Sequence, residues 1–331
     1  MTGKATKILV NVHHLTDREA PYLQRLRDAG FELVMNRLGR HRTEAELIAA
    51  MHGVFGTIAA AEPYTAEVFA APAARDLRVV ARFGVGYDRV DVAAATRHGV
   101  AIAMAFGTNH EAVADGAFTL MAAAAGRIVM RDRQVRSGGW GDAFHQGLWR
   151  ATVGVVGMGR IGRAFIRRCG GFEMRVLCHD PAGDAAWAAA SGVELVSLER
   201  LLRESDFVSL HAPSTRETEG LMNAERLALM KRTAFLINTA RGTLVDEEAL
   251  ADALEARRIA GAGIDCFTRE PPAGSRLLTL DNVILTPHAT ALDVTAEHAM
   301  ANRCIDSILA VWRGEDPGDA YVLNPEVLRR P

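Results

Sequence analysis

The stretch 153-VGVVGMGRIG-162 decides the architecture. Val153, Val155 and Val156 lie in a continuous apolar run of the kind a parallel strand needs when both of its faces are covered. Gly157, Gly159 and Gly162 follow in a G-x-G-x-x-G pattern that opens a helix. The first glycine permits a tight turn, the second lets a diphosphate approach the backbone, and the third lets helix and strand pack closely. A unit of this kind commonly begins a nucleotide-binding domain, yet about 150 residues precede it here.

Working outward, the next strand, 174-MRVLCHD-180, ends in Asp180, 18 residues beyond Gly162. An acidic side chain at that place accepts hydrogen bonds from an adenosine ribose. The same carboxylate would repel a 2′-phosphate, and 179-HDPAGDAAW-187 carries no arginine to offset it. The combination predicts NAD rather than NADP. Gly157, Gly159, Arg160 and Ile161 would meet the diphosphate at the start of the helix.

Apolar runs continue at 193-VELVS-197, 206-DFVSLHAP-213, 233-TAFLINTA-240, 259-IAGAGIDC-266 and 282-NVILTPH-288, with helical patterns such as 246-DEEALADALEARR-258 between them. This is a doubly wound parallel domain. The leading residues repeat the alternation independently, with strands at 7-KILVNV-12, 31-FELVMN-36, 54-VFGTIAA-60, 77-LRVVARFG-84 and 100-VAIAMA-105. A single long helix rich in Ala and Gly is predicted from 108 to about 130, small enough in cross-section to serve as a buried interdomain or dimer helix. The last stretch, 293-DVTAEHAMANRCIDSILAVWRG-314, is one amphipathic helix and too little for a third domain. It is expected to rejoin the first domain, giving residues 1–104 with 293–331 as one unit and 105–292 as the other.

Charge and cysteine usage narrow the function. Lys and Arg total 38 against 40 Asp and Glu, with no long block of one sign, so neither nucleic acid nor an anionic membrane is an indicated partner. Cys169, Cys178, Cys266 and Cys304 show no metal-ligand spacing and read as small apolar residues in a reducing compartment, with no metal site. The N-terminus has no signal-peptide pattern and no apolar run is long enough to span a bilayer, which predicts a cytoplasmic protein acting on a small molecule. Of the eleven histidines, His13, His14, His41, His52 and His98 read as solvent-facing or capping.

Three short stretches close successive strands of the second domain: 238-NTARG-242 with Arg241, 265-DCFTREPP-272 with Asp265 and Glu270, and 286-TPHAT-290 with His288. Ligands of open parallel sheets sit outside the carboxyl ends of the strands, where these residues lie. Together with 84-GVGYDRVD-91 and 211-HAPST-215, they closely resemble the D-isomer-specific 2-hydroxyacid dehydrogenases, phosphoglycerate dehydrogenase-like members above all. The resemblance covers nearly the whole chain in order. It implies a Rossmann NAD-binding domain inserted into a flavodoxin-like substrate domain, which accounts for the residues before the glycine turn.

The resemblance also implies roles. Arg241 would hold and polarise a 2-oxo acid, whose adjacent carboxylate and carbonyl suit a planar guanidinium. His288 would be the general acid and base, since its ordinary pKa lies close to working pH, and Glu270 would fix its tautomer and favour its charged form. Asp265 would accept from the nicotinamide carboxamide, Thr239 and Ala240 would line the ring, and His211, Pro213 and Thr218 would flank the adenosine and ribose. In the first domain, backbone N–H groups of Val85 and Gly86 would bind the substrate carboxylate, with Asn109 a further candidate. Family members pair through their cofactor domains, so Trp140 and Trp149 are expected at a homodimer interface.

The substrate is less determined. Phosphoglycerate dehydrogenases commonly carry a phosphate-reading arginine where this chain has 57-TIAAAEPYT-65, which offers Ala59 to Ala61 and then Glu62. Arg82, at the neighbouring strand end, is the candidate replacement. Glyoxylate or hydroxypyruvate is therefore favoured, with 3-phosphoglycerate left open. An NAD-responsive binding protein of the co-repressor type is the alternative from another class, and formate dehydrogenase is disfavoured because it places glutamine where this chain has Glu270.

Overall fold

Two parallel sheets are built from these apolar runs. The computed structural model describes residues 6–12, 15, 21–141 and 144–329; His13 and His14 lie outside them. The chain divides into two units, residues 1–109 with 293–331, and residues 110–292.

In chain order the first unit contains β1 (Lys7–Val10), α1 (Gln24–Asp28), β2 (Glu32–Met35), α2 (Glu44–Ala50), β3 (Val54–Ala59), α3 (Ala66–Ala70), β4 (Val79–Arg82), α4 (Val92–Arg97) and β5 (Ala101–Met104). The second contains α5 (His110–Ala125), α6 (Ile128–Arg136), β6 (Thr152–Val156), α7 (Arg160–Gly170), β7 (Arg175–His179), α8 (Ala185–Ala190), β8 (Val193–Leu195), α9 (Leu198–Glu204), β9 (Phe207–Leu210), α10 (Ala224–Leu229), β10 (Phe235–Asn238), α11 (Glu247–Glu255), β11 (Gly261–Ile264) and β12 (Val283–Leu285). A final helix, α12 (Val294–Arg313), returns to the first unit.

The first sheet has the order β2-β1-β3-β4-β5 with every pair parallel, the flavodoxin-like arrangement. Its alternating side chains feed two layers: Ile8 and Val10 pack with Ile305 and Ile308 of α12, while Leu9 packs with Leu47, Val68 and Phe69 on the other face. Local signals agree with this packing. Thr43 and Glu46 form a capping box at the start of α2, Asp293 caps α12, and the left-handed Gly314 ends it. His98 is the C-cap of α4, His52 is exposed, and His41 pairs with Glu62.

The second sheet has the order β12-β11-β10-β9-β6-β7-β8, again all parallel, so the chain reverses its winding direction between β6 and β9. Ligands bind at such a switch point. Phe235 and Ile237 face one helical layer with Phe165 and Leu120, and Leu236 faces the other with Leu201 and Leu250. Both faces are covered, which is why these strands read as unbroken apolar runs.

The structure corrects the long helix expected from 108 to about 130. Two helices, α5 and α6, meet at a 56° bend, where Gly126 precedes Arg127 at φ 51° and the hydrogen-bond ladder stops. The small residues of α5 serve its own unit. Leu120 lies so close to Gly263 of β11 that a side-chain carbon there would come within 3.2 Å, and one on Gly116 would come within 2.4 Å of Thr290. Among the described residues, no single helix is long and apolar enough to cross a membrane.

Candidate active site

The glycine turn is shaped by close approach on two sides and by open space on the third. Gly157 has φ 97°, and a Cβ on it would lie 2.8 Å from the backbone of His211 and Ala212. A Cβ on Gly162 would fall 2.1 Å from the Gly157 carbonyl oxygen. At Gly159 nothing lies within 4 Å, and no side chain caps the helix that starts there, so the first-turn amides of Arg160 and Ile161 have no capping side chain. An uncapped helix start above a glycine with free space is the cradle a diphosphate requires.

Asp180, at the end of β7, accepts from the Met158 amide at 2.6 Å through one oxygen and from the Ala182 amide at 2.9 Å through the other. Each oxygen keeps a further lone pair, which leaves room for ribose hydroxyls. His211 is arranged differently from expectation. Its Nε2 meets the Ser209 hydroxyl at 2.9 Å, its ring packs 4.9 Å from that of Phe165, and burial pushes its pKa down to about 3. The imidazole is thus a neutral packing group that faces the domain interior. Thr218 likewise closes its own loop, donating to the Pro213 carbonyl at 2.6 Å and accepting from the Thr215 amide at 2.8 Å, while Pro213 is exposed.

At the end of β10, the side chain of Asn238 braces the next three residues. It accepts from the Ala240 amide at 3.0 Å and donates to the Arg241 carbonyl at 2.8 Å. Sequence reasoning missed this residue, although an Asn immediately after a buried strand and before a turn is a known local brace. Thr239 is 6% exposed, and its hydroxyl is buried without a hydrogen-bond partner. An orphaned buried hydroxyl beside the glycine-turn sheet is a second mark of a ligand site. Gly242 lets the Arg241 turn press against the following loop, since a Cβ there would sit 2.0 Å from the Phe267 carbonyl carbon.

The loops after β11 and β12 are tied together. Glu270 accepts from the Phe267 amide at 3.1 Å and from Nδ1 of His288 at 2.8 Å through the same oxygen. A carboxylate only accepts, so Nδ1 carries the hydrogen and Nε2 is the nitrogen left for other partners. His288 adopts φ 52°, a left-handed conformation uncommon for a residue with a side chain. Its amide is held by the carbonyl oxygens of Asp265 and Thr286, at 2.9 and 3.1 Å.

Asp265 corrects an expectation. It is fully buried, and its carboxylate accepts from the Thr286 hydroxyl (2.6 Å), the Ala289 amide (3.0 Å), the Thr290 amide (3.3 Å) and the Thr290 hydroxyl (2.8 Å). Both oxygens are engaged twice and neither reaches the surface, so this carboxylate holds the His288 loop instead of presenting itself to a carboxamide.

In the first unit, Arg82 also differs from its reading as a phosphate ligand, because its Nε and Nη2 donate to the Gly86 carbonyl at 3.1 and 2.9 Å and so shape the 84–86 loop. Val85 and Gly86 remain partly exposed there. Glu62 is fully buried and accepts from the Ala60 amide at 2.8 Å and from His41 Nδ1 at 3.2 Å. Asn109 is 4% exposed, and its Oδ1 has no hydrogen-bond partner.

Comparison with known proteins agrees with this construction. Residues 118–290 match the family described as D-isomer specific 2-hydroxyacid dehydrogenase, NAD binding domain. The glyoxylate reductase of Korarchaeum cryptofilum is 46% identical over 275 residues, 81% of this chain and 82% of that one. Among solved structures, the TT0316 protein from Thermus thermophilus superposes with a TM-score of 0.87 at 37% identity, over 96% of this chain and 100% of that one. The D-lactate dehydrogenase from Aquifex aeolicus, complexed with NAD and lactic acid, gives 0.82 at 26% identity over 96% and 99%. This chain belongs to the D-isomer specific 2-hydroxyacid dehydrogenase family.

Proposed function

We propose that the protein is a reductase of small 2-oxo acids, with glyoxylate its preferred substrate and hydroxypyruvate a second. The reaction class follows from the family: NAD-dependent interconversion of a 2-hydroxy and a 2-oxo acid. The observation that carries the assignment of residues is the 2.8 Å bond between Glu270 and His288 Nδ1, which leaves Nε2 as the atom able to give or take a proton.

Bound NADH supplies the hydride. Gly157, Gly159, Arg160 and Ile161 would hold its diphosphate, Asp180 its ribose, Pro213 with the backbone of His211 and Thr218 its adenosine side, and Thr239 and Ala240 its nicotinamide. Arg241 grips the substrate carboxylate and polarises the adjacent carbonyl. As negative charge develops on the carbonyl oxygen, His288 Nε2 gives it a proton, and Glu270 keeps Nδ1–H through the change. In the reverse direction Nε2 takes that proton back.

Glyoxylate is favoured over 3-phosphoglycerate by the chemistry at the end of β3. Ala59 to Ala61 bring no cation, Glu62 brings a carboxylate, and Arg82 is engaged with Gly86. The curated relatives include glyoxylate reductases at 46% and 44% identity. Those reductases, with the family match, leave the co-repressor alternative without support of its own. The working form is proposed to be a homodimer in the cytoplasm. Trp140, Phe144 and Trp149 of the second unit are 90%, 102% and 65% exposed, which an aromatic interface would cover. All four cysteines are buried and none is in a disulfide, as a reducing compartment allows.

The test is a panel of glyoxylate, hydroxypyruvate, pyruvate and 3-phosphohydroxypyruvate with NADH, followed by absorbance of the reduced nicotinamide. Glyoxylate should give the highest kcat/KM and the phosphorylated acid the lowest. A preference for the phosphorylated acid would overturn the substrate, and no turnover on any acid would overturn the reading itself.

A further inference from the structure

A third donor lies beside Glu270 and His288 that hydride transfer does not use. Cys266 directly follows Asp265 at the end of β11, and its thiol donates to the Ala240 carbonyl at 3.4 Å. Its sulfur, a carboxylate oxygen of Glu270 and a ring nitrogen of His288 all lie within 4.8 Å of one another. No other group of three such donors comes together among the described residues. Sequence spacing does not reveal it, because the three residues come from two loops that only the β11–β12 register brings together.

We propose that Cys266, Glu270 and His288 form a reversible inhibitory site for one thiophilic divalent cation of the zinc class. Zinc takes thiolate, imidazole and carboxylate ligands in a tetrahedron at about 2.0 to 2.3 Å, which places ligand atoms ~3.5 Å apart. The three donors reach that spacing by closing in about 1 Å. The two that must move are the accessible ones, since the side chains of Glu270 and His288 are 28% and 45% exposed while Cys266 is buried beneath them. The thiol releases its proton to solvent as the sulfur–metal bond forms, the neutral imidazole binds through whichever nitrogen carries no hydrogen, and the six-coordinate hydrated ion sheds five waters and keeps one in the fourth position. Thiolate and carboxylate together neutralise the ion's charge. Magnesium and calcium, which require six or more oxygen ligands, are excluded by the same donor set.

Selectivity for this thiol has a physical basis. Cys169, Cys178 and Cys304 are equally buried, but none of them belongs to a group of three donors among the described residues. Inhibition follows because the ion takes a nitrogen of His288 and the oxygen that orients it. That part rests on the proposed role of His288, whereas ion binding does not.

Two measurements separate the parts. Cobalt(II), titrated into the full chain, should produce a thiolate-to-metal charge-transfer band that saturates at one ion per chain and disappears in Cys266→Ala and Cys266→Ser. In the NADH and glyoxylate assay, chelator-buffered zinc should inhibit reversibly, and each variant, compared with its own zinc-free rate, should need at least ~10-fold more zinc. Absence of the band in the natural chain, or equal zinc sensitivity with and without the thiol, overturns the proposal. A band without any glyoxylate turnover leaves the site standing and removes the reductase reading; turnover without a band does the reverse.

Discussion

Asp265 and His288 are joined through the backbone and through the loop: the Asp265 carbonyl accepts the His288 amide at 2.9 Å, and the Asp265 carboxylate accepts the two amides that follow it. The first contact sets where the strained φ of 52° occurs, and the second keeps the chain from relaxing out of it. The proposed acid–base residue, although on a loop, is thereby fixed by hydrogen bonds on both sides of its own backbone.

Asp265→Asn tests this clamp. An amide presents N–H groups where the loop also presents N–H groups, so at least one of the four bonds is replaced by repulsion. Turnover should fall about 10²-fold, the usual cost of a displacement near 1 Å at a catalytic group, and unfolding should become easier by about 2 kcal/mol or more. NADH titration by fluorescence should remain close to normal. Unchanged turnover would remove the clamp from the mechanism.

His288→Ala should lower kcat by about 10²- to 10⁴-fold with NADH still bound, as for any lost acid–base group. Glu270→Gln is the finer probe, because an amide oxygen can still accept from Nδ1 while the carboxylate charge is gone. Its kcat should fall less than in His288→Ala, with NADH affinity unchanged. A kcat equal to that of the natural protein would show that the charge of Glu270 has no part in the reaction.

The architecture was legible because buried parallel strands write themselves as apolar runs, and because Gly157, Gly159 and Gly162 answer to close contacts that no side chain survives or to the open space a ligand needs. Arg241, Glu270 and His288 stand out in the sequence as a guanidinium, a carboxylate and an imidazole in the loops that close three successive apolar runs, where ligands of parallel sheets bind. The supports were hidden for the opposite reason. Asn238, Thr286 and Thr290 are ordinary loop residues until the β10–β11–β12 register places them against Ala240 and Asp265. The contacts of the His211 ring with Ser209 and Phe165 likewise have no signal in the sequence. The break after Ala125 was masked by a run of alanines that favours helix right up to Gly126.

Gly242 is a support that can be removed by one carbon. Gly242→Ala forces a methyl to 2.0 Å from the Phe267 carbonyl carbon, and both atoms belong to backbone that carries a site residue nearby, Arg241 on one side and Glu270 on the other. Overpacking of this kind costs about 1 to 3 kcal/mol. The larger effect should be functional, with KM for glyoxylate rising and kcat falling together while the far-ultraviolet circular dichroism is preserved. A variant with natural kinetics would show that the two loops move independently.

The exposed aromatics give a prediction about assembly. Trp140→Lys combined with Phe144→Lys places two cations among the exposed apolar side chains of the second unit, which also include Trp149, Val135 and Ile128. Sedimentation should show a dimer for the natural chain and a monomer, or a dimer dissociating at least ~10-fold more readily, for the double variant. A natural chain that sediments as a monomer would leave these side chains without their proposed partner.

His211 makes stability depend on pH in a direction that can be worked out. Burial holds its pKa at about 3, whereas the unfolded chain takes up a proton near the ordinary value of about 6.5. Between those values the unfolded state binds a proton that the folded state refuses, so stability is complete above pH 6.5 and declines as pH falls toward 3. The full cost is on the order of 5 kcal/mol, at about 1.4 kcal/mol per pH unit. His211→Gln keeps a hydrogen-bonding group for Ser209 and has no proton to take up. Its Tm, measured from pH 7 down to pH 4, should therefore decline less steeply than that of the natural protein, with the difference opening below pH 6.5. Parallel curves would mean that the imidazole protonates in place, and that Phe165 and Ser209 tolerate its charge.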